Sequence, residues 1–200
     1  MVVTDIKKAG KNKVNIYINN KVEFQLSFQD LKHYKIVQGQ EISKDTYLSI
    51  KEEILLPMAK KKALNILKYM DRSEFELRKK LQASFFPNDI IDNVIEILFR
   101  YKYLDDERYA RSYIRYRKES KSWFYIKNKL KAKGIKKDIM EKLYSQEYLE
   151  EEFDPELIAI EKEINKKTYN SDLSYEKKQK LIASLYRKGF NLEKIRRFIW

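Results

Sequence analysis

No cysteine occurs in the 200 residues. That excludes disulfides, thiolate metal sites and cysteine nucleophiles, and it suits a reducing compartment. There is a single histidine, His33, so no histidine-based metal cluster or His-relay triad can be assembled. The four glycines, Gly10, Gly39, Gly134 and Gly189, stand apart, which leaves no glycine-rich loop to cradle a phosphate. No apolar run approaches the roughly 18 residues of a membrane span. Met1 to Gly10 carries Asp5, Lys7 and Lys8 where a secretory leader would need an apolar stretch. These absences point to a cytoplasmic chain that is not an enzyme, holds no cofactor and has no membrane partner.

What remains is rich in helix formers and charge. Charged residues make up 36% and hydrophobic residues 43%, with only 3 prolines. Few breakers among many Lys, Glu, Leu and Ile favour helix. The net charge is +13; an excess of this size attracts phosphates or acidic protein surfaces. An AT-rich genome also enriches Lys, Asn, Ile and Tyr, so the distribution of the charge carries more weight than its total.

Residues 1–53 read as a strand-rich extension. Val14, Ile16 and Ile18 alternate with polar residues, as do Val22, Phe24, Leu26 and Phe28. Asn19-Asn20 between them suits a two-residue hairpin turn. Residues 2–8 offer a third strand and Asp30–Tyr34 a short helix. Ser43 is placed to cap a longer helical run.

Beyond residue 54 the apolar period becomes helical: Leu56, Ala59, Ala63, Leu67 and Met70 fall at spacings of three and four. Ser73-Glu74-Phe75-Glu76 forms a capping box, and Asn88 is placed to cap the next helix. A pattern then recurs. Leu81…Phe85-Phe86…Ile90-Ile91…Val94-Ile95 matches Leu130…Gly134-Ile135…Ile139-Met140…Leu143-Tyr144, and again Leu185…Gly189-Phe190…Lys194-Ile195…Phe198-Ile199. Two copies have Gly where a helix ends in a left-handed residue. The first has Phe85, so its turn is expected to close differently. Periods of this size in helical sequence indicate an array. The expected fold is mainly α: an elongated tandem array of three three-helix repeats with a small N-terminal β-hairpin or sheet. The repeats are read as 54–103, 104–145 and 155–200, and 146–154 as a solvated acidic linker.

Residues 101–145 hold 14 Lys and Arg against 6 Asp and Glu. Arg108, Arg111, Arg115 and Lys118 share one helix face by their spacing, with Arg117 beside them. Lys127, Lys129, Lys131 and Lys133 alternate along the next helix. The Arg row is the first candidate for contact with phosphate or carboxylate oxygens, joined by Lys127 and Lys131, and reversal of Arg108, Arg111 and Arg115 to Glu is expected to weaken binding without unfolding the chain. Asp105-Asp106-Glu107 resembles a metal cluster less than a helix start, where carboxylates satisfy free N–H groups.

Arg72-Ser73-Glu74-Phe75-Glu76-Leu77…Leu81, Tyr103-Leu104-Asp105-Asp106-Glu107-Arg108-Tyr109-Ala110 and Ile126…Leu130…Gly134-Ile135 resemble the RecX family. Its patterns are R-S-x-x-E-L, G-Y-L-D-D and I-x-x-x-L-x-x-x-G-I. Lys102, Ser122 and Phe85 stand where the family has Gly. The resemblance implies a monomer that lies along the RecA–DNA filament and mostly inhibits ATP hydrolysis and strand exchange. Its partners would be RecA and single-stranded DNA, with double-stranded DNA as a second candidate. It also implies that Tyr103, Leu104, Asp105, Asp106 and Ala110 are structural. The competing reading is an independent helical DNA- or RNA-binding regulator, because three-helix modules also resemble helix-turn-helix units. An acid-dependent nuclease is the weakest, since its carboxylates read as caps.

Overall fold

Three antiparallel strands begin the chain: β1 (Val3–Lys8), β2 (Lys13–Ile18) and β3 (Lys21–Ser27), in the order β1-β2-β3. The computed structural model describes residues 1–166 and 174–199. Ile18 pairs with Lys21, so Asn19 and Asn20 form a two-residue turn, both at positive φ (50° and 62°). Consecutive left-handed residues match the twist of the strands they join, and asparagine tolerates that conformation best after glycine. Val14, Ile16, Phe24 and Leu26 are buried on one face of the sheet.

Ser27 then caps α1 (Phe28–His33), accepting from the Asp30 N–H while the Asp30 carboxylate accepts from Ser27. This reciprocal box starts the helix two residues before its expected Asp30. Ser43 caps α2 (Lys44–Ser49) through the Thr46 N–H. The helix runs on through a π-helical stretch, Ile50–Leu55, into α3 (Leu56–Tyr69). Widened turns bring residues five apart onto one side. Ile50 and Leu55 are thus both fully buried, and they pass the apolar stripe to Ala59 and Ala63.

The capping box at Ser73 opens α4 (Glu74–Gln82). Asn88 does not cap α5 (Asn88–Arg100): Pro87 holds the N-cap position, and the Asn88 Oδ1 instead accepts from Gln82 Nε2 at 3.3 Å. The turn between α4 and α5 also differs from expectation. Phe85 adopts a left-handed conformation (φ 58°), as Gly134 (φ 78°) and Gly189 (φ 85°) do. The same backbone bond closes all three turns, from Phe86 to Leu81, Ile135 to Leu130 and Phe190 to Leu185. The first turn is therefore the same motif, held at a steric cost of about 1–2 kcal/mol for a residue with a Cβ.

Two compact units result, Met1–Asp105 and Asp106–Trp200. In the first, the sheet and the first three-helix module share one core, in which Ile16, Phe24, Ile50, Leu77, Leu81, Ile91 and Leu98 meet. The second unit holds two modules with separate cores. In one, α6 (Asp106–Arg117), α7 (Trp123–Ala132) and α8 (Lys137–Tyr144) enclose Ile114, Ile126, Leu130, Met140 and Leu143. In the other, α9 (Pro155–Asn165), α10 (Tyr175–Arg187) and α11 (Leu192–Ile199) enclose Ile160, Leu181, Leu185, Phe190 and Ile195. Asp154 caps α9 with Pro155 at its first position. Of the expected third repeat, residues 167–173 and 200 lie outside the described residues. The acidic stretch 146–154 is not wholly a solvated connector. Ser145–Leu149 continues α8 as a π-helical turn, and Glu147 and Tyr148 are buried.

Candidate nucleic-acid interface

The side chains of α6 divide between two environments. On one side, Arg111, Arg115 and Lys118 converge on Glu147, which is 3% exposed. The Arg115 Nε lies 2.9 and 3.0 Å from its two carboxylate oxygens, the Arg111 Nη1 3.1 Å and the Lys118 Nζ 3.3 Å. Arg111 also donates to Glu107 at 2.9 Å and Gln146 at 2.7 Å, and Lys118 to Glu151 at 2.5 Å. Burial alone would push the Glu147 carboxyl up, but the hydrogen bonds from Arg115, Lys118 and Arg111 overcome it and hold it below the usual range. The same hydrogen bonds raise Arg115 above the ordinary guanidinium value. Lys118 is raised too, although burial works against it.

Three members of the expected Arg row are thus partners of a buried carboxylate. Reversing Arg111 and Arg115 would set like charges around Glu147, so the expectation that such a variant stays folded does not follow from this geometry. Arg108 is exposed on the same helix. Glu147 was hidden from sequence reasoning because it sits in an acidic run that looks solvated. The available signal was that Glu147 lies three residues beyond Tyr144 on a continuing helical period.

The other side of α6, together with α7, interleaves cations with tyrosines. The Arg117 guanidinium lies over Tyr113 at 4.7 Å and Tyr116 at 5.6 Å. Lys121 and Lys129 flank Tyr125 at 5.8 and 5.5 Å. Lys133 approaches Tyr109 at 5.5 Å and Tyr113 at 5.9 Å. Distances of this order from a ring centre are attractive for a cation. Burial pushes the Tyr113 hydroxyl up, against Arg117 and Lys133, which pull it down.

Lys127 and Lys131 lie on α7, both exposed, and neither joins an ion pair among the described residues. The four alternating lysines therefore split: Lys129 and Lys133 join the tyrosines and Lys127 and Lys131 do not. Lys121, Lys129 and Lys133 were missed as site candidates. Their signal was present, since Tyr109, Tyr113 and Arg117, and likewise Lys121, Tyr125, Lys129 and Lys133, recur every fourth residue and so stack along a helix.

Where α7 meets the third module, Ser122 does two jobs. Its Oγ accepts from the Tyr125 N–H, capping α7, and donates to the Lys188 carbonyl at 2.6 Å. Glu156 accepts from the Trp123 N–H at 3.2 Å and from Lys194 at 2.9 Å. The Trp123, Tyr144 and Tyr148 rings pack at centroid distances of 4.8 to 5.3 Å. Among the described residues no group of three or more His, Asp or Glu is placed to hold a metal, and no helix is long and apolar enough to cross a membrane.

Comparison with known proteins agrees along the chain. The family models for the RecX first, second and third three-helix domains match residues 59–98, 105–143 and 154–199. Regulatory protein RecX of Clostridium acetobutylicum is 30% identical over 196 residues, covering 96% of this chain and 90% of that one. A crystal structure of regulatory protein RecX shares the fold with a TM-score of 0.62 at 23% identity, over 98% of both chains. The crystal structure of RecX from Lactobacillus salivarius gives a TM-score of 0.60 at 28% identity, over 72% of this chain and 94% of that one. With all three of its helical domains matched in order, the chain belongs to the RecX family of regulatory proteins.

Proposed function

We propose that this protein regulates RecA by binding the RecA–DNA filament, and that it mostly slows ATP hydrolysis and strand exchange. It acts in the cytoplasm as a monomer, without a cofactor and without catalysis of its own. The observation that carries this reading is the interleaved basic and aromatic surface of α6 and α7. Ammonium and guanidinium groups neutralise phosphates; Tyr109, Tyr113 and Tyr125 are half-buried against the module's core, and the exposed rings of Tyr116 and Phe124 are the faces on which unpaired bases stack. A filament offers such a strand, its phosphates and acidic side chains in one long groove.

Arg108, Arg117, Lys127 and Lys131 contact the filament directly, joined by Lys121, Lys129 and Lys133. Arg111, Arg115 and Lys118 contribute through the positive potential around Glu147, with the 62% exposed Arg115 the best placed of the three to reach a phosphate. We keep the proposed boundaries of the extension (1–53) and the three repeats (54–103, 104–145 and 155–200), with the first part of 146–154 packed onto the second repeat, which stands at the centre of binding.

The test adds the purified chain to RecA on single-stranded DNA and follows ATP hydrolysis and strand exchange. Both rates are expected to fall at amounts stoichiometric with RecA. Unchanged rates, together with tight binding to bare DNA, would instead establish the rival: an independent helical nucleic-acid-binding regulator.

A further inference from the structure

A cleft of about 280 Å³ opens where α7 meets the end of α10. Phe124, Tyr125, Asn128, Lys121, Lys129 and Lys188 are among its walls. Sites that enclose drug-sized ligands begin near ~300 Å³, so this one admits a single planar ring system and little more. We propose that it takes one unstacked base of a single-stranded nucleic acid, with the flanking phosphates on the lysines at its rim. The proposal rests on the reading that this face of the second module meets nucleic acid, and it names where a base goes.

The first argument is the cost of Phe124. The residue is 62% exposed, yet the fold leaves room for its ring. A Cβ on Gly189 would lie 2.6 Å from Phe124 Cδ1 and 2.9 Å from its Cβ. The glycine that ends α10 therefore both takes the left-handed turn and leaves room for this ring. An aromatic wall so built and left to solvent is a stacking surface without its partner.

The second argument is the disposition of charge. Lys121 and Lys129 sit on either side of Tyr125, each within 6 Å of its ring. A strand whose base enters between Tyr125 and Phe124 has its phosphates before and after that base near these two ammonium groups. Lys188, whose carbonyl is tied to Ser122 and whose Nζ pairs with Glu163, fixes the far rim.

The third is Asn128, exposed at the cleft and adjacent to Lys129 in α7. Its amide offers a donor and an acceptor side by side, as does the Watson–Crick edge of a base. Duplex DNA keeps both base faces stacked and that edge paired, so the cleft discriminates single strands from duplex.

Fluorescence anisotropy of the full chain with a labelled oligothymidine, and with a strand of equal length built of abasic residues, tests this. The wild-type chain is expected to bind the abasic strand roughly tenfold more weakly, the worth of one base stacked on an aromatic ring. Asn128→Trp fills the cleft from an exposed position and should narrow the gap between oligothymidine and the abasic strand. It should leave abasic binding unchanged. Asn128→Ala guards against a folding artefact and should narrow the same gap without bulk, with melting temperature confirming that each variant folds. Lys127→Ala with Lys131→Ala should lower both strands alike. If both Asn128 variants keep the full gap between strands, the cleft does not hold a base, although nucleic-acid binding stands. If Asn128→Trp weakens action on the RecA filament with both bare strands unaffected, a protein segment fills the cleft and the base proposal is overturned. Failure of the wild-type chain to bind either strand removes the reading of this face, and the cleft proposal with it.

Discussion

At the scale of single residues, Glu147 explains why the arginines of α6 lie as they do. A carboxylate taken out of water needs cations and hydrogen bonds to offset its desolvation, and three basic side chains of one helix face supply both. Removing it leaves those cations with an escape to solvent, since Arg115 is 62% and Arg111 28% exposed. Glu147→Gln therefore costs less than the loss of a fully buried partner, about 1–3 kcal/mol, seen as a lower melting temperature at pH 7. The effect depends on pH. Hydrogen bonds hold the folded carboxyl below its ordinary value, so its contribution is complete above the unfolded pKa of about 4.3 and drains away as pH falls through the folded one. The melting-temperature gap between wild type and Glu147→Gln should accordingly narrow on acidification below about pH 4.5. A constant gap would show that charge is not what Glu147 contributes. The cation row itself was legible in the sequence, because i, i+3 and i+7 spacing is a property of any helix. Its partner was not, because whether an acidic residue is buried depends on where the chain returns.

Elements were more legible than their ends. Alternation marked β2 and β3, paired asparagines marked their turn, and capping signals at Ser43 and Ser73 marked helices that the structure starts at those residues. Asn88 misled because Pro87 precedes it and takes the cap position with no side-chain acceptor to offer. The π-helical stretches were invisible, since their widened turns answer to the burial of Ile50 and Leu55 in one stretch and of Glu147 and Tyr148 in the other, and no residue type encodes them. Turn chemistry is where this scale becomes testable. Phe85 and Lys102 both sit at positive φ, where the family pattern has Gly. Lys102→Gly relieves the left-handed conformation of an exposed side chain and should stabilise the chain by roughly 0.5–1 kcal/mol, net of the extra entropy glycine brings to the unfolded state. Gly189→Ala is the converse. It adds about 1–2 kcal/mol of backbone strain and drives a methyl into Phe124. Thermal denaturation should rank the two on opposite sides of wild type; Gly189→Ala at or above wild type would show that neither the left-handed turn nor Phe124 resists a side chain there.

For the molecule as a whole, the excess of positive charge sets what the protein does at a distance and how it answers to salt. A chain of net charge +13 with its densest cations in one module draws polyanions before any specific contact forms. Yet the cations are not equivalent. Those around Glu147 are already partly neutralised, so binding a phosphate there releases fewer counterions than their number suggests. Lys127 and Lys131, exposed and without ion pairs among the described residues, release theirs in full. The dependence of single-strand affinity on salt should therefore be set by the roughly seven cations outside the Glu147 cluster, giving a log–log slope of about −5 at ~0.7 per phosphate. Lys127→Ala with Lys131→Ala should flatten that slope by ~1.4, or two phosphates' worth. Arg111→Ala should change it much less. Titrations of the full chain with oligothymidine between low and physiological salt measure both slopes. If Arg111→Ala flattens the slope as much as the lysine pair does, then the arginines of α6 leave Glu147 when nucleic acid arrives, and the buried carboxylate competes with phosphate for them instead of anchoring them.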